Sequence, residues 1–288
     1  MAEISSADVV KLRKMSGQGM MDCKIALAEA NGDMDKAMEV LRKKGLATLA
    51  KRAERETTEG IVVSTKSPDG KQAVLASLCC ETDFVSRNDD FISAAEKLAD
   101  YALACNVDKG ADNLLNTAIN GKTYNDIVTE IVSKTGEKIQ VGDFAKFRLG
   151  GPGLIGSYVH FNKKVGSMLL VETSDDKTAA SDELKQAALD MAMHITATKP
   201  LSLDKTGIDA KTIESEKSIY AEQVKNKPAN IVEKIVEGKL QKFFAENCLL
   251  QQPFVKDNTK MVSAVLDEAA KKAGGKAKIT KFVRFSVG

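Results

Sequence analysis

The sequence repeats one arrangement of predicted elements after 93 residues, and this duplication limits what the chain can fold into. A predicted hairpin that starts at Ile61 is followed by a helix that starts at Phe91. A second hairpin starts at Leu154 and a second helix includes Leu184, each 93 residues after its counterpart. Hairpins that alternate with single helices are typical of an antiparallel sheet with helices on one face. The sequence therefore predicts an α+β protein with two related subdomains.

An all-helical segment precedes the first copy. Apolar residues recur at helical spacing in three runs separated by glycine-containing breaks, which predicts a three-helix bundle. Met21 and Ile25 fall on one apolar face of the second helix. We expect the third helix to begin at Met34 and Gly45 to act as its C-cap. This bundle is predicted to form a domain of its own, residues 1–55.

The second copy contains an insertion that the first copy lacks. Two long helices are predicted over 210–226 and 230–246, joined by a short polar connection. Two consecutive helices with a short connection favour an antiparallel helical hairpin, here an arm over about 208–246. The predicted division gives residues 56–148 to the first subdomain, and 149–288, including the arm, to the second.

The charges of the chain are nearly balanced, with 42 Lys and Arg against 40 Asp and Glu and a formal net charge of +2. Proteins that coat nucleic acid or an anionic membrane carry a basic excess, so we expect neither as a direct partner. No run approaches the roughly 20 apolar residues that span a bilayer, and the N-terminus lacks the apolar segment of a signal peptide. We therefore expect a cytoplasmic protein.

Few side chains in the sequence could carry catalytic chemistry. The five cysteines include no Cys-x-x-Cys pair, and their odd number and apolar neighbours predict reduced, buried thiols. His194 lies in an apolar helix, which predicts a core position, whereas His160 lies near the end of a strand, where a functional role is more common. One enzymatic hypothesis stays open, a thiol-dependent enzyme that uses Cys79 or Cys80 with His160.

The two copies differ where their second strands end. The first copy continues through residues 81–86 with Phe84 inside an acidic turn, whereas residues 172–176 of the second copy predict a fully polar loop. Phe84 has two interpretations. Either its ring packs back on its own sheet beside Phe91, or it projects as an anchor for a partner. The pattern alone favours neither.

Several motifs follow one another along nearly the whole chain. They are Gly17-Gln18-Gly19-Met20-Met21-Asp22-Cys23-Lys24, Thr82-Asp83-Phe84-Val85, Met193-His194, Lys199-Pro200, Val236-Glu237-Gly238, Gln252-Pro253-Phe254-Val255 and Phe282-Val283-Arg284-Phe285. In these motifs and their order the chain resembles the bacterial elongation factor Ts family. It departs from the family at Glu81, where other members carry Gln.

The resemblance implies a fold and a function. The expected function is guanine-nucleotide exchange on the GTPase elongation factor Tu, bound in its GDP-loaded and nucleotide-free forms, without enzymatic chemistry and without a cofactor or metal. The expected fold is a ubiquitin-associated-like (UBA-like) three-helix bundle, two α+β subdomains and a helical coiled-coil hairpin. By the same resemblance, the bundle would contact the GTPase through Leu12, Met20 and Met21.

The resemblance also implies roles for residues of the two subdomains. Four consecutive residues, Thr82, Asp83, Phe84 and Val85, would bind the partner. Of these, Asp83 and Phe84 would insert into the GTPase and disturb its Mg²⁺ and phosphate site. His160 would contact the partner beside its phosphate loop. Whether the protein forms a homodimer is left open. A weaker alternative treats the bundle as an adaptor for ubiquitin-like partners.

Overall fold

The structure, a computed structural model, describes residues 4–288, without the side chains of Leu49, Ala229 and Asn230. Residues 1–3, with which the predicted first domain begins, lie outside the described residues. Three N-terminal helices are followed by two three-stranded sheets, each with helices packed against it, and by a helical hairpin. The predicted α+β fold class, with its bundle, two related subdomains and arm, is confirmed.

Local capping signals set the limits of the N-terminal bundle. Its helices are α1 (Ser6–Ser16), α2 (Met20–Glu29) and α3 (Met34–Lys51). The Ser5 hydroxyl accepts a hydrogen bond from the backbone N–H of Asp8 at 3.1 Å and so caps the start of α1. Gly17 ends α1 with a φ of 69°, in the left-handed region that glycine adopts without steric cost.

The first subdomain packs helices against one face of an antiparallel sheet. Its elements are β1 (Glu59–Lys66), β2 (Gln72–Cys80), α4 (Asp83–Ser86), α5 (Asp89–Ala104), α6 (Ala111–Leu115), β3 (Ala118–Ile119), β4 (Lys122–Thr123), α7 (Tyr124–Thr135) and β5 (Ile139–Arg148). The strands lie in the order β1-β2-β5. Phe91 and Leu98 of α5 and Tyr124 of α7 are fully buried beneath this sheet.

The second subdomain repeats this arrangement and adds the arm. Its elements are β6 (Gly153–Val159), β7 (Val165–Thr173), α8 (Asp176–Ala180), α9 (Asp182–Thr198), α10 (Ala210–Gln223), α11 (Ala229–Asn247), β8 (Pro253–Phe254), β9 (Asp257–Met261), α12 (Val262–Lys272) and β10 (Ala277–Ser286). The strands lie in the order β6-β7-β10, so β7 is the middle strand as β2 is in the first sheet. β2 and β7 begin 93 residues apart, at Gln72 and Val165.

The two sheets pack against each other through the faces that their helices leave uncovered. Val62, Leu75 and Phe147 of the first sheet share an apolar cluster with Met168 and Leu170 of the second. Each sheet is therefore buried on one face by its own helices and on the other by its partner sheet. The eight residues of β2 that follow Gln72 are buried for this reason.

Gly45 does not end α3, which continues to Lys51, so the predicted C-cap is wrong. A Cβ atom on Gly45 would lie 2.7 Å from the backbone oxygen of Thr129 on α7. The glycine therefore allows α3 and α7 to approach closely, and helix packing outweighs its local tendency to end a helix. The Ser133 hydroxyl adds a hydrogen bond to the backbone oxygen of Leu41 at 3.1 Å. These contacts attach the bundle to the first subdomain.

His194 has the core position that its apolar helix predicts. Its side chain is fully buried, and its Nε2 lies 2.8 Å from Oε1 of Gln252. The backbone N–H of Val255 donates to Nδ1 at 3.1 Å, so Nε2 carries the proton. Burial lowers the pKa of His194, although the hydrogen bond to Gln252 opposes this shift.

Candidate functional site

The segment after β2 forms a short capped helix. Thr82 is the N-cap of α4, and its hydroxyl accepts a hydrogen bond from the backbone N–H of Val85 at 3.4 Å. The same hydroxyl donates to Oε1 of Glu137 at 2.7 Å, and the Thr82 backbone N–H donates to Oε2 of Glu137 at 3.1 Å. Thr82 therefore caps α4 and also ties it to the segment that precedes β5.

Glu81 links the end of β2 to the end of the N-terminal bundle. Nη1 of Arg52 contacts both carboxylate oxygens of Glu81, at 2.8 and 2.9 Å, and the Lys138 backbone N–H donates to Oε1 at 2.6 Å. Burial alone would raise the pKa of Glu81, but these hydrogen bonds and the Arg52 charge outweigh it and hold the pKa below its ordinary value. The negative charge of Glu81 is therefore neutralised within the protein.

The structure distinguishes the two interpretations of Phe84. The side chain of Phe84 is 84% exposed, whereas Phe91 is fully buried in the first subdomain's core. Val85 is buried beneath α4 and holds the helix on the sheet, so Phe84 projects into solvent. Asp83, beside it, pairs with Arg87 at 3.1 Å along the same face. Exposing a Phe ring forgoes roughly 1.5–3 kcal/mol of burial free energy, which favours a partner that covers it.

The equivalent segment of the second subdomain is not the fully polar loop predicted from its composition. It forms the helix α8, with Asp175 as N-cap accepting from the Thr178 backbone N–H at 2.7 Å. Thr178 is buried, and the exposed position 93 residues after Phe84 is occupied by Lys177. The two short helices share a build and differ in the side chain that they present.

His160 lies directly after β6, half-buried, with its Nδ1 2.9 Å from the hydroxyl of Tyr158. The next residue, Phe161, is 87% exposed, and its ring centroid lies 4.4 Å from that of His160. The sequence prediction missed Phe161. The signal was present, because an aromatic residue beside the turn-forming Asn162 is as unusual as Phe84 in an acidic turn.

Phe84 and Phe161 line the same cleft. It has a volume of about 870 Å³ and lies between β1 and α4 of the first subdomain and the turn between β6 and β7 of the second. The structure thus brings Thr82, Asp83 and Phe84 together with the turn that follows His160. An arrangement of exposed aromatic rings on fixed backbone is suited to binding another protein.

The thiol hypothesis finds no support in the environment of its cysteines. Cys79 and Cys80 are buried, on opposite faces of β2. Burial, with a contribution from the charge of Glu137, raises the pKa of Cys80 to about 12, and burial also raises that of Cys79. A thiol nucleophile requires a lowered pKa and access to its substrate, and the buried positions of Cys79 and Cys80 favour neither. The predicted buried, unpaired state of all five cysteines is confirmed.

Comparison with known proteins identifies the family. A sequence model of the family described as Elongation factor TS matches residues 81–288. The elongation factor Ts of a Nitratiruptor species is 46% identical over 287 residues, which cover 99% of this chain and 93% of that protein. The elongation factor Ts of Prosthecochloris aestuarii is 42% identical, with both chains covered completely. That of a Clostridium perfringens strain is 41% identical over 99% of this chain and 93% of its own.

The chain belongs to the elongation factor Ts family. It is thus a member of a family of translation elongation factors, and the family that its motifs resemble is confirmed. The matched region begins at Glu81, directly before the capped helix that carries Phe84.

The remaining residues that the elongation factor Ts resemblance selects lie on the N-terminal bundle. Met20 and Met21, at the start of α2, are exposed, and so is Ile25 one turn later, although Met21 and Ile25 fall on the face expected to pack. Leu12 is fully buried between the three helices. Its expected direct contact with a partner is therefore corrected, because its side chain supports the bundle from inside.

Two features that would indicate other functions are absent from the described part of the elongation factor Ts fold. Among residues 4–288, no group of three or more His, Cys, Asp or Glu side chains is placed to hold a metal ion. Within the same residues, no helix combines the length and the apolar character needed to cross a membrane.

Proposed function

We propose that this protein is a guanine-nucleotide exchange factor for elongation factor Tu in translation elongation, acting by binding and without a chemical step of its own. Family membership supports the partner and the process. The single observation that carries the proposal for this chain is the position of Phe84, 84% exposed on a helix that is capped and fixed to the sheet. An exposed ring on a rigid support has the properties of an interface anchor.

The proposed mechanism follows from linkage. A factor that binds the nucleotide-free GTPase more tightly than the GDP-bound form must weaken GDP binding by the same factor. Mg²⁺ and the phosphates are the strongest local charges in a GTPase site, so an insertion beside them has the largest effect on GDP. We assign this insertion to Asp83 and Phe84, with Thr82 and Val85 holding α4 in place.

Further contacts with the GTPase are proposed for Met20 and Met21 on the bundle and for His160 on the second subdomain. The exposure of the two methionines and the position of His160 beside the cleft support these assignments. We keep the division into residues 1–55, 56–148 and 149–288 as the proposed domain organisation. A cytoplasmic location, the absence of direct nucleic-acid contact and the question of a homodimer stay predictions.

The proposal is tested by GDP release from elongation factor Tu. The GTPase is loaded with fluorescent GDP and mixed with excess unlabelled GDP, with and without this protein. We expect faster release with the wild-type chain, and a rate enhancement reduced roughly 30-fold or more by Phe84→Ala, as for an interface hot spot. Release that the wild-type protein leaves unchanged would refute the function.

Lys177→Ala provides the matched control, because Lys177 is exposed at the equivalent position of α8. It should leave GDP release unchanged. Both substitutions replace exposed side chains, so the free energy of unfolding of each variant should lie within about 0.5 kcal/mol of that of the wild type. If Phe84→Ala promotes GDP release from elongation factor Tu at the wild-type rate, the insertion of Phe84 is refuted and the exchange function is not.

A further inference from the structure

The exposure of Phe161 arises from a rigid turn. The Lys163 backbone N–H donates to the His160 carbonyl at 2.7 Å, which closes a four-residue turn with Phe161 at its second position. Lys163 adopts a φ of 54°, in the left-handed region, and the His160 N–H donates to Val165 at 2.9 Å. The backbone of Phe161 is therefore fixed, and its ring is the side chain that the turn presents.

This turn is bonded to the first subdomain, which carries Phe84. The Val62 backbone N–H of β1 donates to the Lys163 carbonyl at 2.7 Å. The Lys164 ammonium pairs with Glu59 and donates to the Gly60 carbonyl at 3.1 Å. These bonds hold the two sides of the cleft in one frame, so the two exposed phenylalanines keep a fixed spacing.

The charges around the cleft are paired within the protein. On the α4 side, Glu81 pairs with Arg52, and Asp83 pairs with Arg87. On the side of the turn, Lys164 pairs with Glu59 as described, and Lys163 lies 3.6 Å from Glu96. With each ionic side chain that lines the cleft matched by an opposite charge, the cleft attracts neither an anionic nor a cationic ligand strongly, and its free binding capacity lies in the two rings.

We propose that Phe161 is a second apolar anchor for the GTPase, and that the cleft between Phe84 and Phe161 receives an apolar segment of elongation factor Tu. This inference rests on the proposed function. The GTPase is chosen as the occupant because the surface is continuous with Phe84, and because paired charges leave apolar contact as the means of recognition. A partner that covers Phe161 also covers the adjacent ring of His160, at 4.4 Å between centroids.

The two anchors have separable effects. Phe84 is assigned to the disturbance of the nucleotide site, so its loss lowers the rate of GDP release even when the GTPase is saturated. Phe161 sits at the tip of a turn of the other subdomain and contributes to association. Its loss therefore weakens affinity and leaves the saturated release rate close to that of the wild type.

The test compares Phe161→Ala and Phe84→Ala in the full-length chain, with Leu201→Ala as a control that removes another exposed apolar side chain, away from the cleft. Affinity for nucleotide-free elongation factor Tu is measured by titration calorimetry, and GDP release is followed over a range of factor concentrations. For Phe161→Ala we expect roughly tenfold or more weaker binding and less than about a twofold change in the saturated release rate. Phe161→Leu, which keeps apolar surface, should fall between it and the wild type.

The outcomes separate the two proposals. Wild-type affinity in Phe161→Ala, together with impaired release in Phe84→Ala, would overturn the second anchor and leave the exchange function standing. Unchanged behaviour of both variants would overturn both anchors, whereas a wild-type chain that leaves GDP release unchanged would refute the exchange function itself. Equal weakening by Leu201→Ala would also overturn the second anchor, since the effect would then not be specific to the cleft. Melting temperatures confirm that each variant is folded, which is expected because Phe161 is 87% exposed.

Discussion

The helices α4 and α8 occupy equivalent places in the two subdomains and carry different surfaces. Each follows the middle strand of its sheet, at an offset of 93 residues, with Thr82 and Asp175 as the N-caps. The third helical residue is buried in both, Val85 in one and Thr178 in the other. The duplicated scaffold thus supplies a capped, anchored helix, and one exposed position decides whether it presents a ring or a charge.

The N-cap residues of these helices also differ in the hydrogen-bond partners of their side chains. Asp175 bonds within its own segment, where the hydroxyl of Ser174 and the amide and hydroxyl of Thr178 lower its pKa. Thr82 instead bonds to Glu137, 55 residues along the chain. The cap of the helix that presents the aromatic side chain therefore bonds directly to the body of its subdomain. Asp175 is linked to the body of its own subdomain only through Ser174, whose hydroxyl accepts a hydrogen bond from the Lys276 backbone N–H at 3.1 Å.

The comparison is tested most severely by exchanging the side chains at the exposed position. Phe84→Lys gives α4 the surface of α8, and we expect GDP release from elongation factor Tu to fall to a small fraction of the wild-type enhancement, roughly 30-fold or more. Lys177→Phe gives α8 the ring and should add no exchange activity, because the rest of the cleft is missing around it. Stopped-flow fluorescence measures both, and a Lys177→Phe variant that rescues Phe84→Lys would contradict the importance of position.

A smaller effect is expected from removal of the caps. Thr82→Ala removes the cap of α4 and its hydroxyl bond to Glu137, which costs about 1 kcal/mol of stability and loosens the support of Phe84. GDP release should fall severalfold, while Asp175→Ala should lower only the melting temperature. Calorimetric melting and exchange assays on the two variants measure this difference. An equal loss of exchange activity in the two variants would show that the bond between Thr82 and Glu137 has no special role in exchange.

The smallest effect concerns Glu81, whose pKa is held below its ordinary value of 4.5. A carboxylate with a depressed folded-state pKa stabilises the protein above its unfolded pKa, and this contribution is lost as the pH falls through the folded value. Glu81→Gln should therefore lower the melting temperature slightly at about pH 7, and the difference from the wild type should shrink towards about pH 3. GDP release at neutral pH should change less than about twofold. A difference that grows in acid would contradict the assignment.

Elements with a long repeating pattern could be predicted from the sequence. α3 begins at Met34 as expected, and β2 and β7 begin 93 residues apart, as the duplication predicts. The helices α4 and α8 were missed, because four or five residues contain too little periodicity to indicate a helix. Only their caps, Thr82 and Asp175, carried a local signal.

The candidate site could be predicted only in part, because the rest depends on tertiary packing. The composition around Phe84 is the same whether its ring packs or projects, and the burial of Phe91 and Val85 decides between them. Gly45 was assigned by a local rule that the approach of α3 to α7 overrides. The local sequence around Phe161 marks an unusual aromatic residue beside a turn, but it does not show that this residue shares a cleft with Phe84, because that depends on how the subdomains pack.

The burial of β2 on both faces fixes its register with the neighbouring strands, and so the position of Phe84. Val74, Ala76 and Leu78 belong to the core beneath the helices, whereas Ala73 and Leu75 belong to the core between the sheets. A slip of one residue along the neighbouring strands would send each set into the other core, where shapes and volumes do not match. Since α4 begins three residues after β2 ends, an error in strand pairing would misplace Phe84 and unfold two cores together. Folding of the two cores therefore also fixes the position of the Phe84 ring.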